Sequence, residues 1–176
     1  MRRTAFDDAV AEHGSRVFTL AVYLLNHREE AEDVTQEVLV RFWQRGSDVD
    51  PQRIGAWLMR VTRNRCIDVI RSRSTAGNPS LQREGGRSLE GAVDGRPGPD
   101  ARVCASELGS KIHEALSGLS EPYRSVVVLR EIQGLSYGEI RNVLDMPLNT
   151  VRVTLHRGRR RLREALREEY DHAAVM

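Results

Sequence analysis

The sequence predicts an all-α protein with two small helical domains joined by a flexible linker. Apolar residues recur every three or four positions through 5–73 and 106–168, the period of a helix that buries one face. No segment shows the sustained polar–apolar alternation of a half-buried strand. Between the two blocks, glycine, proline, serine and charged residues dominate from 72 to 102. Such a segment buries too little apolar surface to offset its ordering entropy, so we predict a linker there.

The N-terminal block predicts three helices. The first carries a stripe that breaks at 26–28 and consists of Phe6, Val10, His13, Val17, Leu20 and Leu24. The second directs Ala31, Val34, Val38 and Phe42 inward and ends before the glycine- and proline-containing break at 46–51. The third, from about 53 to 73, is predicted to bury Ile54, Leu58, Val61 and Val69. Cys66 lies near that apolar side, so we expect it in the hydrophobic core.

The C-terminal block predicts four further helices. The first has a stripe of Leu108, Ile112, Ala115, Leu116 and Leu119. Ser120 is predicted to cap the next helix, which tolerates Pro122 near its start, buries Val126, Val127, Leu129 and Ile132, and ends at Gly134.

A capping box, in which Ser136 and Glu139 satisfy each other's amides, begins a short helix that buries Ile140, Val143 and Leu144. Pro147 stops that helix in a tight turn. Asn149 or Thr150 is then predicted to cap a long basic helix that ends near Glu168 and is held to its domain by Val151, Leu155 and Leu162. A short helix, a tight turn and a basic second helix form the helix-turn-helix pattern.

Charge is distributed unevenly along the 176 residues, although the net charge is only +2. Residues 60–74 hold five arginines against one aspartate, and 150–163 hold six arginines and no acid. Two basic segments suggest two places where a polyanion is bound. No apolar stretch reaches the roughly 20 residues of a membrane span, and two cysteines cannot form a closed zinc site or a disulfide framework. We therefore expect no membrane insertion, no metal and no cofactor, and a reducing cytoplasmic setting.

Three motifs, in order, carry a resemblance to a known family. The segments AEDVTQEV at 31–38 and WLMRVTRN at 57–64 resemble the polymerase-binding signature and the promoter-opening helix of extracytoplasmic-function (ECF, group 4) sigma factors of the sigma-70 family. The segments GLSYGEI at 134–140, TVR at 150–152 and LHR at 155–157 are similar to that family's second DNA-binding domain. The resemblance covers both helical blocks.

The resemblance implies a domain of the region 2 type at 1–73, a linker at 74–105, a region 4 helix-turn-helix domain at 106–170 and a tail at 171–176. It implies a subunit that binds core RNA polymerase through the beta and beta-prime subunits and directs it to promoter DNA. The N-terminal domain would open the −10 element and the C-terminal domain would read the −35 element. The family also implies an anti-sigma factor as a partner.

Site residues follow from the same resemblance. Asp33, Gln36 and Glu37 match positions that face the clamp helices of the largest polymerase subunit, and their spacing places them on one helix face. Asn64 matches the position that receives a flipped −10 base. The matching positions for contacts with the −10 strand and its phosphates are Arg60, Arg63, Arg65, Arg71 and Arg73.

In the helix-turn-helix, the positions matched to −35 recognition are Asn149, Thr150, Arg152, Val153, His156 and Arg157. Arg160 and Arg161 could contact phosphate or polymerase, or could lie on a solvated face. Val153 stands where the family often has serine, and it could touch a thymine methyl. Asp145 and Asn149 replace frequent glycines, and both residue types tolerate left-handed backbone.

Other interpretations stay open at this point. The acidic face of the second helix could be a solvated helix surface, or negative charge that is favoured near a helix N-terminus. Trp43 and Trp57 could belong to the hydrophobic core or stack on bases. A free-standing helix-turn-helix regulator is the main alternative function, although we find no heptad pattern for a dimer face. An enzyme acting on nucleic acid is disfavoured because no triad, phosphate loop or carboxylate pair stands out.

Overall fold

The computed structural model describes residues 3–75 and 107–173, with the side chains at 107–108 and 168–173 left undescribed. Every element in these two ranges is helical and none is a strand, as the sequence predicted. The chain divides into two compact units. Most of the predicted linker, the side chain of Leu108 and the last three residues of the predicted tail lie outside what the structure describes.

The N-terminal unit contains helices α1 (Arg3–Leu25), α2 (Arg28–Arg45) and α3 (Ile54–Thr75), with two short 3₁₀ turns at Gly46–Asp48 and Pro51–Arg53 between α2 and α3. The predicted break between α1 and α2 consists of Asn26, in the left-handed region at φ 52°, and His27, whose imidazole accepts a hydrogen bond from the Glu30 amide at 3.4 Å. The break is short because His27 caps α2 at once.

The hydrophobic core of this unit confirms the predicted faces of α1 and α2. His13, Val17, Leu20 and Leu24 are buried on α1, while Phe6 and Val10 are half-buried. All four predicted residues of α2 are buried. On α3 the predicted face was partly wrong, because only Leu58 is fully buried and Ile54, Val61 and Val69 are half-buried. The fully buried positions of α3 are Leu58, Met59, Thr62, Cys66 and Ile67.

Thr62 explains why the periodicity of apolar residues misplaced the face of α3. Its hydroxyl donates to the Leu58 carbonyl at 2.7 Å, so a polar residue is buried with its hydrogen bond satisfied inside the helix.

Aromatic rings from all three helices meet in the N-terminal unit. Phe42 lies 6.0 Å from Phe6 and 5.8 Å from Trp57, measured between ring centroids. Trp43 meets Phe6 edge-on at 5.0 Å, yet it remains 44% exposed.

The C-terminal unit is built on α4 (Glu107–Ser117), α5 (Tyr123–Val127), α6 (Tyr137–Leu144) and α7 (Leu148–Ala173). The five residues after α5, Val128–Ile132, continue it as one π-helical turn. Gly134, at φ 69°, then ends this segment, and the Leu135 amide donates back to the Leu129 carbonyl at 3.0 Å. The expected role of Gly134 as a helix stop is confirmed.

Two predicted caps in this unit are wrong. Ser120 does not cap α5, because the cap position is occupied by Pro122 with no side-chain hydrogen bond. Asn149 and Thr150 do not cap α7, because this helix already begins at Leu148 and the Val151 amide donates to the Pro147 carbonyl at 3.1 Å. At the start of α5 the Ser120 carbonyl accepts from the Arg124 amide and the Pro122 carbonyl from the Val126 amide, each at 3.2 Å, so backbone acceptors serve both helices. The long helix also extends beyond Glu168, to Ala173.

The turn between α6 and α7 has the geometry that the sequence predicted. The capping box of α6 is present, with the Ser136 amide 2.7 Å from Glu139 Oε2 and the Glu139 amide 3.3 Å from Ser136 Oγ. Asp145 is left-handed at φ 54°, as expected for a position where glycine is frequent. Asn149 lies inside α7 and is not among the positive-φ residues of the described ranges, so its position does not require left-handed backbone.

Candidate nucleic-acid and protein interfaces

The outward face of α2 presents the three residues that the sequence assigned to protein binding. Asp33, Gln36 and Glu37 are all exposed, and Val34, Val38 and the rest of the opposite face are buried. Positions three and four apart lie side by side on a helix, so these side chains form one polar patch, which we call the α2 face. Burial of the other side fixes the direction in which the α2 face points.

Glu37 is held by an arginine of the neighbouring helix. Arg65 Nη2 donates to Glu37 Oε1 at 3.1 Å, and Arg65 Nε makes a second, short bond to Oε2. These hydrogen bonds hold the pKa of the Glu37 carboxyl below its ordinary value, and bonding to Glu37 raises the pKa of Arg65. Both side chains remain about half exposed, so the pair lies at the edge of the α2 face.

The six residues of α3 that the sequence assigned to DNA do not form one group. Arg60, Asn64 and Arg71 are exposed and lie four, seven and eleven positions apart, which places them along one stripe of the helix. Arg63 flanks this stripe and donates from Nη1 to Asn64 Oδ1 at 3.3 Å. These four residues, Arg60, Arg63, Asn64 and Arg71, are called the α3 stripe below.

Arg73 lies off the stripe and has a structural role. Its Nε lies 3.1 Å from Glu30 Oε1, its Nη2 bonds Glu30 Oε2, and its Nη1 donates to the Leu25 carbonyl at 3.2 Å. Only 12% of the Arg73 side chain is exposed, and burial lowers the pKa of its guanidinium. Arg73 therefore ties α3 to α2 and satisfies a carbonyl at the C-terminus of α1, where a cation is favourable.

The residues that the sequence assigned to −35 recognition lie on the outer face of α7. All six predicted positions, from Asn149 to Arg157, are exposed, with Val153 at 49%. Val151, Thr154, Leu155 and Gly158 are buried on the opposite face. Recurrence at three- and four-residue steps continues the outer face to Arg160. The α7 stripe, as we call it, consists of Asn149, Thr150, Arg152, Val153, His156, Arg157 and Arg160.

The arginines that follow differ in their contacts. Arg161 lies over the ring of Tyr123, with its guanidinium carbon 4.2 Å from the ring centroid. Arg159 Nε donates to Glu131 Oε1 at 2.8 Å, and this bond raises the pKa of Arg159. Arg160 is exposed, and its Nε lies 3.6 Å from Glu164 Oε1. Arg159 and Arg161 therefore brace α7 against the helix before the motif.

Three features of the C-terminal unit escaped sequence reasoning. A Cβ at Gly158 would lie 2.7 Å from Val127 Cγ2, so α5 and α7 approach more closely than a side chain allows. Arg130 covers the Tyr137 ring at 5.0 Å and donates to the Leu135 carbonyl at 2.7 Å. The Glu131–Arg159 pair joins residues 28 positions apart. The second and third features have no signal in the neighbouring sequence. The first has a weak one, because a glycine inside a strongly periodic helix suggests close packing.

Within the described residues, no cluster of three or more His, Cys, Asp and Glu side chains is arranged to bind a metal. No helix in those ranges combines the length and the apolar character that a membrane crossing requires.

Comparisons with known proteins match both units. The sigma-70 region 2 model matches residues 9–75, and the sigma-70 region 4 model matches 110–162. The chain is 35% identical over 170 residues to the ECF RNA polymerase sigma factor SigE of Mycolicibacterium smegmatis. The alignment covers 97% of this chain but only 65% of that relative's length. It is 32% identical to the ECF RNA polymerase sigma factor SigW of Bacillus subtilis, over 93% of this chain and 90% of that relative.

Solved structures show the same fold. One neighbour is CnrH, solved in complex with the cytosolic domain of CnrY, with a TM-score of 0.67, 26% identity, and coverage of 95% of this chain and 90% of that one. Another is the sigma factor RpoE of Bartonella quintana, solved with the anti-sigma factor NepR, with a TM-score of 0.71, 23% identity, and coverage of 92% and 96%.

Proposed function

The chain belongs to the ECF RNA polymerase sigma factors of the sigma-70 family, and from this premise we propose that it binds core RNA polymerase and directs transcription initiation at specific promoters. The observation that carries this proposal is the presence, in one chain, of an exposed polar patch on α2 and an exposed recognition helix in a helix-turn-helix. A free-standing regulator would need only the second. The chain acts as a recognition subunit in the cytoplasm, and we assign no catalytic step to it.

The domain roles follow the predicted boundaries. Residues 1–73 bind the polymerase and open the −10 element, 74–105 link the domains, 106–170 read the −35 element, and 171–176 form a tail. The α2 face (Asp33, Gln36 and Glu37) contacts the clamp helices of the largest polymerase subunit. Support comes from its position: the face is exposed and polar, while the opposite side of α2, with Ala31, Val34, Val38 and Phe42, is buried.

The α3 stripe binds the −10 strand. Asn64 offers an amide donor and acceptor to a flipped base, and the stripe's arginines contact phosphates. Arg73 is left out of this surface, because its guanidinium is engaged by Glu30 and Leu25 and is mostly buried. Arg65 is considered separately below.

The α7 stripe reads the −35 element in the major groove. Residues near the start of the helix, Arg152 and Val153 above all, face base edges, whereas Arg160 meets phosphate. Arg161 contributes less to DNA binding than Arg160, because its guanidinium already covers Tyr123.

An anti-sigma factor is the proposed regulatory partner. The structural relative CnrH was solved with the cytosolic domain of CnrY, so a fold of this kind accommodates a protein partner. We propose that this chain is likewise held by a protein that competes with the polymerase. An inhibitor of this kind should lower run-off transcription in proportion to its occupancy.

Charge reversal on the α2 face tests the proposal. The double variant Asp33→Arg with Glu37→Arg should lose co-purification with core RNA polymerase, because truncating an interface anchor alone costs more than about 1 kcal/mol. Helicity should be unchanged, since both side chains are exposed. Reversal of the exposed Glu12 on α1, outside the face, is the control. Co-purification equal to wild type would overturn the assignment of the face.

A further inference from the structure

Arg65 stands apart from the residues with which the sequence grouped it. The α3 stripe is defined by Arg60, Asn64 and Arg71, and Arg65 lies about 100° around the helix from Asn64. Its guanidinium is instead bound side-on by the carboxylate of Glu37 on α2. The structure thus associates Arg65 with the protein-binding patch rather than with the DNA-binding one.

The geometry of this pair fixes one conformation of Glu37. Nε and Nη2 of a planar guanidinium bond both carboxylate oxygens at once, which restricts the side-chain torsions of a glutamate that would otherwise sample several rotamers. Each oxygen keeps a second lone pair for another donor. Half of the Glu37 side chain remains exposed, so a partner can still reach the carboxylate while Arg65 holds it.

We infer that Arg65 is a positioning residue of the polymerase-binding surface, which orders Glu37 before the polymerase arrives. This inference rests on the proposed function of the α2 face. Immobilising a rotamer-rich side chain on binding lowers the affinity. Arg65 already restricts the torsions of Glu37 in the folded protein, so this loss of side-chain entropy occurs on folding rather than on binding. Asp33 is exposed on the same face, and no arginine of the described ranges holds its carboxylate as Arg65 holds Glu37.

The test measures the affinity of the full chain for core RNA polymerase by titration of a labelled subunit. Arg65→Gln should weaken binding by about two- to tenfold, the factor expected when one side chain must be ordered on binding. Arg65→Lys keeps the charge but offers no planar fork, so its affinity for polymerase should lie between that of the wild type and that of Arg65→Gln. In a Glu37→Gln background, Arg65→Gln should have little further effect, because the residue acts through Glu37.

Two matched controls separate positioning from other roles. Arg73→Gln removes the second arginine–glutamate pair between α3 and α2, so it should lower the unfolding temperature without changing polymerase affinity well below that temperature. Arg71→Gln makes the same change on the α3 stripe. It should reduce the salt dependence of single-stranded −10 DNA binding by the assembled holoenzyme, by about 0.7 in logarithmic slope, whereas Arg65→Gln should not.

The possible outcomes are distinct. If Arg65→Gln leaves polymerase affinity unchanged, the inference is overturned, and a DNA salt slope lowered as in Arg71→Gln would show that Arg65 is instead a phosphate contact. Affinity that rises, or effects of Arg65 and Glu37 that add fully, would overturn it as well. If the charge reversals at Asp33 and Glu37 leave polymerase affinity intact, the proposed function of the α2 face itself fails.

Discussion

Asn64 is the residue that we propose receives a flipped base during promoter opening. Its amide is exposed on the α3 stripe and accepts a hydrogen bond from Arg63. Asn64→Ala should impair transcription from duplex promoters more than it impairs polymerase binding, because the alanine cannot pair with a flipped base. A template with a pre-melted −10 bubble should recover part of the activity, since unstacking costs a few kcal/mol. Equal loss on melted and duplex templates in run-off assays would argue against this role.

Two neighbouring residues of α7 should read sequence, while a third should not. Arg152→Ala should cost about 1–3 kcal/mol at one base pair of the −35 element and relax specificity there, because a bidentate contact is lost. Val153→Ser should remove a preference for the thymine methyl. Arg160→Ala should weaken binding evenly across sequences and lower the salt slope by about 0.9. Selection of −35 sequences with each variant measures this, and unchanged preference in the first two would move the reading surface elsewhere.

At the scale of the element, the contact of α7 with α5 depends on a glycine. Gly158→Ala places a methyl group 2.7 Å from the buried Val127 Cγ2, and overpacking of this kind costs about 1–3 kcal/mol. The better helix propensity of alanine returns about 1 kcal/mol. We therefore expect a net loss of stability in the C-terminal unit, seen as faster hydrogen exchange of α5 and α7 amides.

Gly138 provides the matched control for Gly158. A Cβ at this position of α6 meets only Ser136 Oγ, at 4.0 Å. Gly138→Ala should leave exchange rates unchanged or slow them. If both substitutions slow exchange, the close approach of α5 and α7 is not a packing constraint.

A buried histidine makes the N-terminal unit sensitive to acid. Burial lowers the pKa of His13 below 6.5, an effect that Glu12 opposes and Arg16 reinforces. Its Nδ1 is buried without a hydrogen-bond partner, beside Gly55. Since the pKa is lowered on folding, the stabilisation is complete above pH 6.5 and is lost as the pH falls below that value.

Tryptophan fluorescence can follow this acid sensitivity, because both tryptophans, Trp43 and Trp57, belong to the N-terminal unit. The free energy of unfolding should fall as the pH is lowered below 6.5. His13→Phe should reduce that dependence, whereas His113→Phe in the other unit should not. A pH dependence that His13→Phe leaves intact would assign the effect to other groups.

Local signals explain which elements the sequence could predict. The Ser136–Glu139 capping box, the left-handed Asp145 and the stop at Gly134 each depend on residues within a few positions of one another. The faces of α1 and α2 follow from apolar periodicity alone. The face of α3 was harder to predict, because the buried polar residue Thr62 interrupts the apolar pattern. The starts of α5 and α7 depend on backbone carbonyls, which carry no polar side-chain signal, so both predicted side-chain caps were wrong.

The site residues also divide into those that the local sequence could predict and those that depend on distant partners. Exposure of Asp33, Asn64 and Arg152 follows from helix geometry and could be predicted. The roles of Arg65 and Arg73 could not, because their partners Glu37 and Glu30 are 28 and 43 positions away. Sequence composition groups all arginines of a basic segment together, and only the packing of α3 on α2 separates those that face outward from those that brace the helices.

In the proposed function of the whole molecule, the N-terminal unit binds polymerase and both units contact promoter DNA, so we expect that neither unit alone selects a promoter. Each of the two small DNA-binding surfaces should bind weakly until polymerase holds both units on the promoter. Linked sites raise the effective concentration of the second contact once the first is made. Promoter binding by the isolated chain should therefore be much weaker than binding by the assembled complex.

The most direct test of this account is the binding of a duplex promoter fragment, identified by run-off transcription, to the labelled chain with and without core RNA polymerase. We predict weak, salt-sensitive binding by the chain alone, and tight, sequence-dependent binding once polymerase is added. The double charge reversal at Asp33 and Glu37 should abolish that gain. Tight, specific binding by the chain alone, with no gain from polymerase, would contradict the account and indicate a free-standing helix-turn-helix regulator.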